Sequence, residues 1–448
     1  MIALLLRSTP RQWLDASARS PLARRLTSGA IWSLGGATLS RGLTLLSMMA
    51  VATMLGQLRF AELGVVQSTV NMFGSLGGSG FGLMAIKYVA ELRTSEPERA
   101  GRILALSSVT ATLAAAIFAG LLFVLAPWLA AETLAAPHLS GLLRLSSVLL
   151  FFTAVTQAQG RALTGFEAFG AAARVEMAAA LLSAVLLVAG AKWRGLEGAL
   201  WALTIGMGVR WVLSVIALSR VTRRAAVRWT LRHASREWRL LYRFSLPALI
   251  GGAISAPIAW ISNAILVNGA NGYAEMGLFH AANQVRTAIL FVPLTLGSMF
   301  LPVLSNVRAD SAKDFGRLLT LTVVVNTLCC GAAAVVVSLA SPLILAGYGP
   351  GFQAGRPTLI VLAFSTIFVG LSYAFGQAIV SAGRMWVLFG LNMLWGSLVV
   401  LLSWLFVGRG YGSVGIAWAH VIAFAAHAVW QGLYVRARCA PVAQAEAA

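Results

Sequence analysis

The chain has 448 residues, of which 59% are hydrophobic and only 11% charged, and its mean hydropathy is +0.82. A soluble protein carries roughly a quarter of its residues as charges, so a soluble enzyme or nucleic-acid-binding domain is excluded despite a formal net charge of +20. What remains is a polytopic membrane protein whose cations serve topology.

In chain order, Met1 to Leu6 is apolar but is interrupted at once by Arg7, Pro10 and Arg11, so no cleavable signal peptide is expected. Residues 7–25 read as a basic, cytoplasmic, surface-lying segment. Twelve apolar tracts follow, at 28–55, 62–86, 103–128, 139–160, 170–191 and 196–218, then 243–266, 275–301, 319–341, 357–379, 385–407 and 412–434. Each is long enough to cross about 30 Å of hydrocarbon as a helix. Alternation at period two, the mark of a membrane barrel, is absent. The predicted fold is all-α and membrane-integral, with an N-terminal segment 1–27, a first lobe 28–218, a linker 219–242, a second lobe 243–434 and a tail 435–448.

Charge tests that map. The segments assigned to the cytoplasm hold 25 of the 34 lysines and arginines. The outer loops hold five, namely Arg59, Lys192, Arg194, Arg356 and Arg409, and four fall inside tracts. This bias predicts that both termini and the linker are cytoplasmic. An internal repeat agrees: FAELGV at 60–65 is echoed by YAEMGL at 273–278, and GLEGALWA at 195–202 by GSVGIAWA at 412–419. Pro127 pairs with Pro342 and Gly165 with Gly383 in the same order. Six helices per half return the chain to its starting side, so the two halves are parallel repeats.

The linker region carries eight arginines between 220 and 243 against one acid, Glu237. Arg224, Arg228, Arg232 and Arg236 recur every four residues, which predicts an amphipathic helix on the anionic inner leaflet. Lys87, Arg228 and Arg232 are candidates for recruiting an anionic headgroup. Cys329 and Cys330 lie in an apolar run and read as packing residues; neither they nor Cys439 shows metal-ligand spacing, and no cofactor is expected.

Polar groups within hydrocarbon need a partner or a wet cavity. Arg41, Arg210 and Arg286 lie deep in the first, sixth and eighth tracts, with no acid at matching depth in tracts 1, 2, 7 or 8; Arg144 sits near an outer end. A cavity lined by the first three would attract a phosphate or diphosphate. Asn71, Asn263, Asn283 and Gln284 supply amides fit for sugar hydroxyls or for helix–helix contacts, and His280 titrates near neutrality in water. His420 and His427 share one face of the last tract but lack a third metal ligand. Glycines 74, 77, 78, 80 and 82 and prolines 247, 257, 293 and 302 predict close packing and kinks in tracts 2, 7 and 8. No phosphate-binding loop and no catalytic constellation is present, so no enzyme activity is expected.

The stretch Ser28 to Arg93 carries a family resemblance: Arg41 in the first tract, LGQLRFAELGVVQ at 55–67, a glycine-rich second tract, and an exit with Lys87, Glu91 and Arg93. It resembles the Wzx-type polysaccharide flippases of the multidrug/oligosaccharidyl-lipid/polysaccharide exporter superfamily (MATE/MOP-like). The resemblance implies two six-helix lobes around a V-shaped central cavity. It implies flipping of an undecaprenyl-pyrophosphate-linked sugar repeat unit across the bacterial inner membrane. A polysaccharide polymerase and its chain-length machinery are the implied partners, and no nucleic acid. Alternatives are a cation-coupled drug or metabolite antiporter of the same superfamily, which would be expected to hold an acid deep in an early helix, the lipid II flippase branch, usually two helices longer, and a non-transporting envelope assembly protein.

Overall fold

An apolar tract in lipid must satisfy its own backbone N–H and C=O groups, and the helix does so within one segment. The computed structural model describes residues 21–78, 81–232, 237–238, 254–310 and 312–438, and among these there is no β-strand. The basic segment before residue 21, Gly80, Arg236, Arg239, Arg243, Pro247, Cys439 and the first part of the seventh tract lie outside them.

The helices are α1 (Pro21–Gly78), α2 (Phe81–Leu92), α3 (Pro97–Trp128), α4 (Ser140–Gly165), α5 (Phe169–Arg224), α6 (Ser255–Val267), α7 (Gly272–Asp310), α8 (Ala312–Leu339), α9 (Ser341–Tyr348), α10 (Arg356–Ser381), α11 (Met385–Gly408) and α12 (Gly412–Arg438). Among the described residues, eight helices are long and apolar enough to cross a membrane. Of these, α5 holds two predicted tracts, and α1 holds the first and most of the second, whose end falls on α2. Helix α1 breaks at Gly56 (φ 72°, ψ 171°), and α5 at Arg194 and Gly195 (φ 58°, ψ −130°). Both glycine conformations are closed to residues with a Cβ, which is why the helical path breaks there within one or two residues. The remaining tracts fall on α6 and α7, so the helices are consistent with twelve spans. Proline opens several of them, at Pro97, Pro342 and Pro357, where the missing N–H costs nothing. Pro257 sits in the first turn of α6, and α7 continues as helix through Pro293 and Pro302.

The chain divides into two compact units, one taking in Gly29–Gly277 and the other the described residues from Leu278 onward together with residues 21–28. In the first unit, α2, α3, α4 and the end of α5 share a core of Ala85, Val89, Ala100, Leu104, Leu163, Phe166 and Leu218. Arg93 closes its end, donating to the Phe166 carbonyl and pairing with Glu167 at 2.7 Å. The α5 hairpin zips through small residues. A Cβ on Gly190 would stand 2.3 Å from the Gly198 carbonyl oxygen, and one on Gly206 would stand 2.6 Å from Ser183 Oγ. This unit also takes in α6 and the first turns of α7. Trp260 Nε1 donates to Thr69 Oγ1 (2.9 Å), Asn268 Nδ2 to the Thr133 carbonyl (2.8 Å), Tyr273 Oη to the Leu134 carbonyl (2.8 Å) and Gln57 Nε2 to the Ala274 carbonyl (2.8 Å).

In the second unit, α10 and α12 pack with α8 around Phe315, Leu318, Ala378, Ile379 and Val435. Cys330 is buried, with its Sγ 3.2 Å from the position of a Cβ on Gly370, and Asn326 Nδ2 donates to the Gly370 carbonyl. The repeat is visible in backbone geometry: Gly195 and Gly412, which open the matched GLEGALWA and GSVGIAWA stretches, both have positive φ (58° and 51°).

The linker departs from expectation. The four-residue arginine spacing predicts a helix through 224–236, but α5 ends at Arg224, Ala226 turns left-handed (φ 54°), and residues 227–231 are extended or irregular. The cause is packing. Val227, 3% exposed, joins the α2–α3–α4 core, a burial worth about 1.5–3 kcal/mol. The next residue lies flat on α3, because a Cβ on Gly101 would stand 2.0 Å from the Arg228 carbonyl oxygen. Arg99 on α3 then pairs with the buried Glu237 at 3.0 Å. Gly101→Ala is therefore expected to lift the 225–232 strap from α3. Limited trypsin digestion after Arg228 and Arg232 should accelerate at least severalfold, and an unchanged digestion pattern would refute the strap.

Candidate functional site

A guanidinium inside a membrane must be solvated by something, and the four arginines within the predicted tracts are solvated differently. Arg144 is exposed and lies 5.4 Å over the Phe123 ring near the predicted outer end of its tract, as expected of a side chain reaching for the interface. Arg41 occupies an exposed position on α1, next to the buried Ser40.

Arg210 differs from the sequence expectation, which found no acid at its depth among the tracts searched. Its Nη2 pairs with Glu176 on the other arm of the α5 hairpin. Counted at 1.5 Å per residue from Gly195, Arg210 stands about 22 Å from that turn, in the half of the helix away from it. The two side chains are 31% and 39% exposed, so the pair is partly solvated and its worth is modest. The destabilisations of Glu176→Gln and Arg210→Gln should sum to more than that of the double variant, which loses the pair only once. A coupling of about 0.5–1 kcal/mol in a double-mutant cycle of detergent melts is expected, and strict additivity would mean the pair is not energetic.

Arg286 on α7 has the most built environment. Its Nε donates to Ser365 Oγ on α10 (3.1 Å), and Nη1 to Asn283 Oδ1 one turn back on its own helix (3.3 Å). Its guanidinium carbon lies 5.5 Å from the centroid of Phe424 on α12. Ser365 in turn donates to the Leu362 carbonyl (2.6 Å), so its lone pairs face the arginine. Phe424 sits in an aromatic cluster with Trp395 (4.8 Å between centroids), His420 (6.3 Å) and His427 (6.4 Å). His420 is buried, hydrogen-bonds the Ile416 carbonyl through Nδ1 (3.0 Å) and contacts Phe279. His427 hydrogen-bonds Gln431 (3.0 Å). His280, also buried, lies 3.4 Å from Gln284 on the same helix. Every described partner of Arg286 is neutral, and among the described residues it forms no ion pair. Two neutral acceptors and a ring face are thus set around a five-donor guanidinium.

The structure thus brings Arg286, Asn283, Gln284 and His280 together on α7. Arg41, Arg210, Asn71 and Asn263 belong to the other unit, with Asn71 exposed on α1 and Asn263 8% exposed on α6. Lys87 is exposed, its ammonium 5.0 Å from the Tyr88 ring, and Arg228 and Arg232 are exposed beside Trp229 and Leu231. Sequence reasoning missed Ser365, Phe424 and Trp395. The spacing His420–Phe424–His427 on one helix face signalled the aromatic cluster; nothing in the sequence signalled Ser365.

Comparison with known proteins gives the following. The model of a family described as polysaccharide biosynthesis protein matches residues 26–308. A protein of Ralstonia nicotianae named EPS I polysaccharide export inner membrane protein EpsE is 27% identical over 418 residues, covering 93% of this chain and 95% of the relative. Its namesake in Ralstonia solanacearum is 26% identical over 435 residues, covering 94% and 96%. Among solved structures, an inward-facing multidrug resistance MATE family transporter of the MOP superfamily superposes with a TM-score of 0.77 at 15% identity, covering 93% of this chain and all of that one. A MOP superfamily transporter from Pyrococcus furiosus gives 0.69 at 16% identity, covering 93% and 94%.

Proposed function

Because this chain belongs to the polysaccharide biosynthesis protein family, we propose that it carries lipid-linked oligosaccharide repeat units across the bacterial inner membrane for surface polysaccharide assembly. The cargo in this reading is an undecaprenyl-diphosphate-linked glycan. No covalent bond changes, and the protein acts as a transporter rather than an enzyme. The export role named for the two Ralstonia relatives supports the cargo class, and the MATE-like fold supports a transporter.

The observation that carries the reading is Arg286. It is a cation held by neutral groups within a membrane-spanning helix bundle, next to Asn283 and near Gln284. An anionic diphosphate completes the guanidinium's donors, while the amides are suited to sugar hydroxyls. Arg41, Asn71, Asn263, His280 and, in exchange for Glu176, Arg210 are further contacts of the cargo in this proposal. Lys87, Arg228 and Arg232 gather the headgroup from the cytoplasmic leaflet, and the polyprenyl tail stays in lipid. In this reading the two lobes (28–218 and 243–434) alternate access, the linker and both termini lie in the cytoplasm as the charge bias predicts, and a polysaccharide polymerase with its chain-length machinery is the partner.

The test is deletion of the gene, followed by measurement of surface polysaccharide and of the leaflet in which the lipid-linked repeat unit accumulates. Loss of surface polymer with the intermediate trapped in the cytoplasmic leaflet is expected. Undiminished arrival of the intermediate at the periplasmic leaflet would refute the proposal.

A further inference from the structure

The outer ends of membrane helices are poor in lysine and arginine, yet three of the five outer-loop cations of this chain meet at one turn. Lys192 and Arg194 are exposed at the Gly195 turn of α5. Arg59 Nη1 lies 3.3 Å from where a Cβ on Gly195 would stand. Glu197 pairs with Arg194 at 3.3 Å, and among the described residues neither Arg59 nor Lys192 forms an ion pair. Topology does not account for these charges, since they oppose the bias that orients the rest of the chain.

Directly below the turn the same hairpin is hollowed by a groove of about 700 Å³. Its floor is Ala189, Gly190, Gly198 and Ala202, small because the two arms touch backbone to backbone there. Its walls include Trp193 and Trp201, which are 82% and 46% exposed. The Arg194 guanidinium lies 5.5 Å from the Trp193 ring, which holds the charge over the groove's mouth. From Gly195 to Ile205, the far end of the lining, is ten residues of helix, or about 15 Å. That is half of the roughly 30 Å hydrocarbon core, the depth of one leaflet.

We propose that this hairpin binds one anionic phospholipid of the outer leaflet. Arg59, Lys192 and Arg194 hold its phosphate, and one acyl chain lies along the groove between Trp193 and Trp201. The assignment uses the orientation given by the charge bias. The chemistry follows from complementarity: three cations, of which only Arg194 is in an ion pair among the described residues, select a phosphate without a compensating amine, and an apolar trough one leaflet deep fits one acyl chain. The tail of a polyprenyl carrier is longer than a leaflet is deep, so the groove is not matched to it.

The full-length protein in proteoliposomes provides the test. Quenching of tryptophan fluorescence by brominated phosphatidylglycerol is compared with quenching by brominated phosphatidylethanolamine. The Trp193→Phe/Trp201→Phe variant is subtracted to isolate these two residues from the chain's 14 tryptophans. At least twofold stronger quenching by phosphatidylglycerol is expected, falling to parity in Arg59→Gln/Lys192→Gln/Arg194→Gln. Ala189→Leu, at an exposed position in the floor, should reduce quenching by both lipids. Parity in the unaltered protein, or an excess that survives loss of the three cations, overturns the proposal. Displacement of phosphatidylglycerol by equimolar undecaprenyl phosphate overturns it too, by naming the carrier lipid as occupant. The readout is lipid binding, so its outcome is independent of whether the protein transports polysaccharide.

Discussion

Arg286→Ala is expected to reduce surface polysaccharide at least tenfold in a complemented deletion strain while leaving the protein's abundance in the membrane near normal. The separation follows from the local geometry. Removing the guanidinium leaves Ser365 still bonded to the Leu362 carbonyl, and Asn283 half-buried with its amide free to turn toward water in a polar site. No partner charge is orphaned, because every described partner is neutral. Deleting an unpaired cation from the membrane interior removes a desolvation cost rather than adding one. A purely structural arginine would behave oppositely, losing abundance and activity together. Arg286→Lys adds a second discrimination: it keeps the charge but cannot bridge Ser365 and Asn283 with a planar fork. Intermediate export is expected from it, well above the alanine variant and below the unaltered chain. Full export from Arg286→Ala at normal abundance would remove this residue from the transport path.

What the sequence made legible, and what it hid, divides along physical lines. The apolar tracts are forced by the bilayer, so all twelve fall on helix, the second and seventh in their described parts. The sixth-tract repeat was legible for a related reason: Gly195 and Gly412 are needed for positive φ, and no other residue type holds that conformation as cheaply. Turn lengths were less legible. The loop expected over 56–61 shrinks to Gly56, with Gln57 onward already helical, because hydropathy marks where lipid begins and not where hydrogen bonding resumes. The linker misled because charge recurring every four residues was read as helix, whereas one valine at 227 and the bare surface of Gly101 draw the chain flat onto α3. The Arg210–Glu176 pair was hidden by its separation of 34 residues. It becomes evident only when the hairpin is folded about Gly195, which brings the far halves of the two arms side by side, within reach of two long side chains. The surroundings of Arg286 come from three helices far apart in the chain, and sequence periodicity on any one helix cannot show such a meeting.

The α5 hairpin offers the sharpest stability contrast. In Gly198→Ala the new Cβ would stand 2.0 Å from the Gly190 carbonyl oxygen, and in Gly190→Ala 2.3 Å from the Gly198 carbonyl oxygen. Both obstacles are backbone, so no side chain can rotate aside and the two arms must part. Parting them also loosens the Gly206–Ser183 contact and the Arg210–Glu176 pair further along the same seam. The cost of such overpacking is about 1–3 kcal/mol for core sites that can relax, and a backbone-to-backbone clash sits at the upper end or beyond. Gly120→Ala in α3 is the control, since nothing lies within 4 Å of its new Cβ; there the helix gains about 0.5–1 kcal/mol from the lost flexibility of glycine. Detergent-solubilised Gly198→Ala and Gly190→Ala should therefore melt several degrees below the unaltered protein and accumulate poorly in the membrane, while Gly120→Ala melts at or above it. Equal melting of all four proteins would mean that the close crossing of the two arms is not what holds this hairpin together.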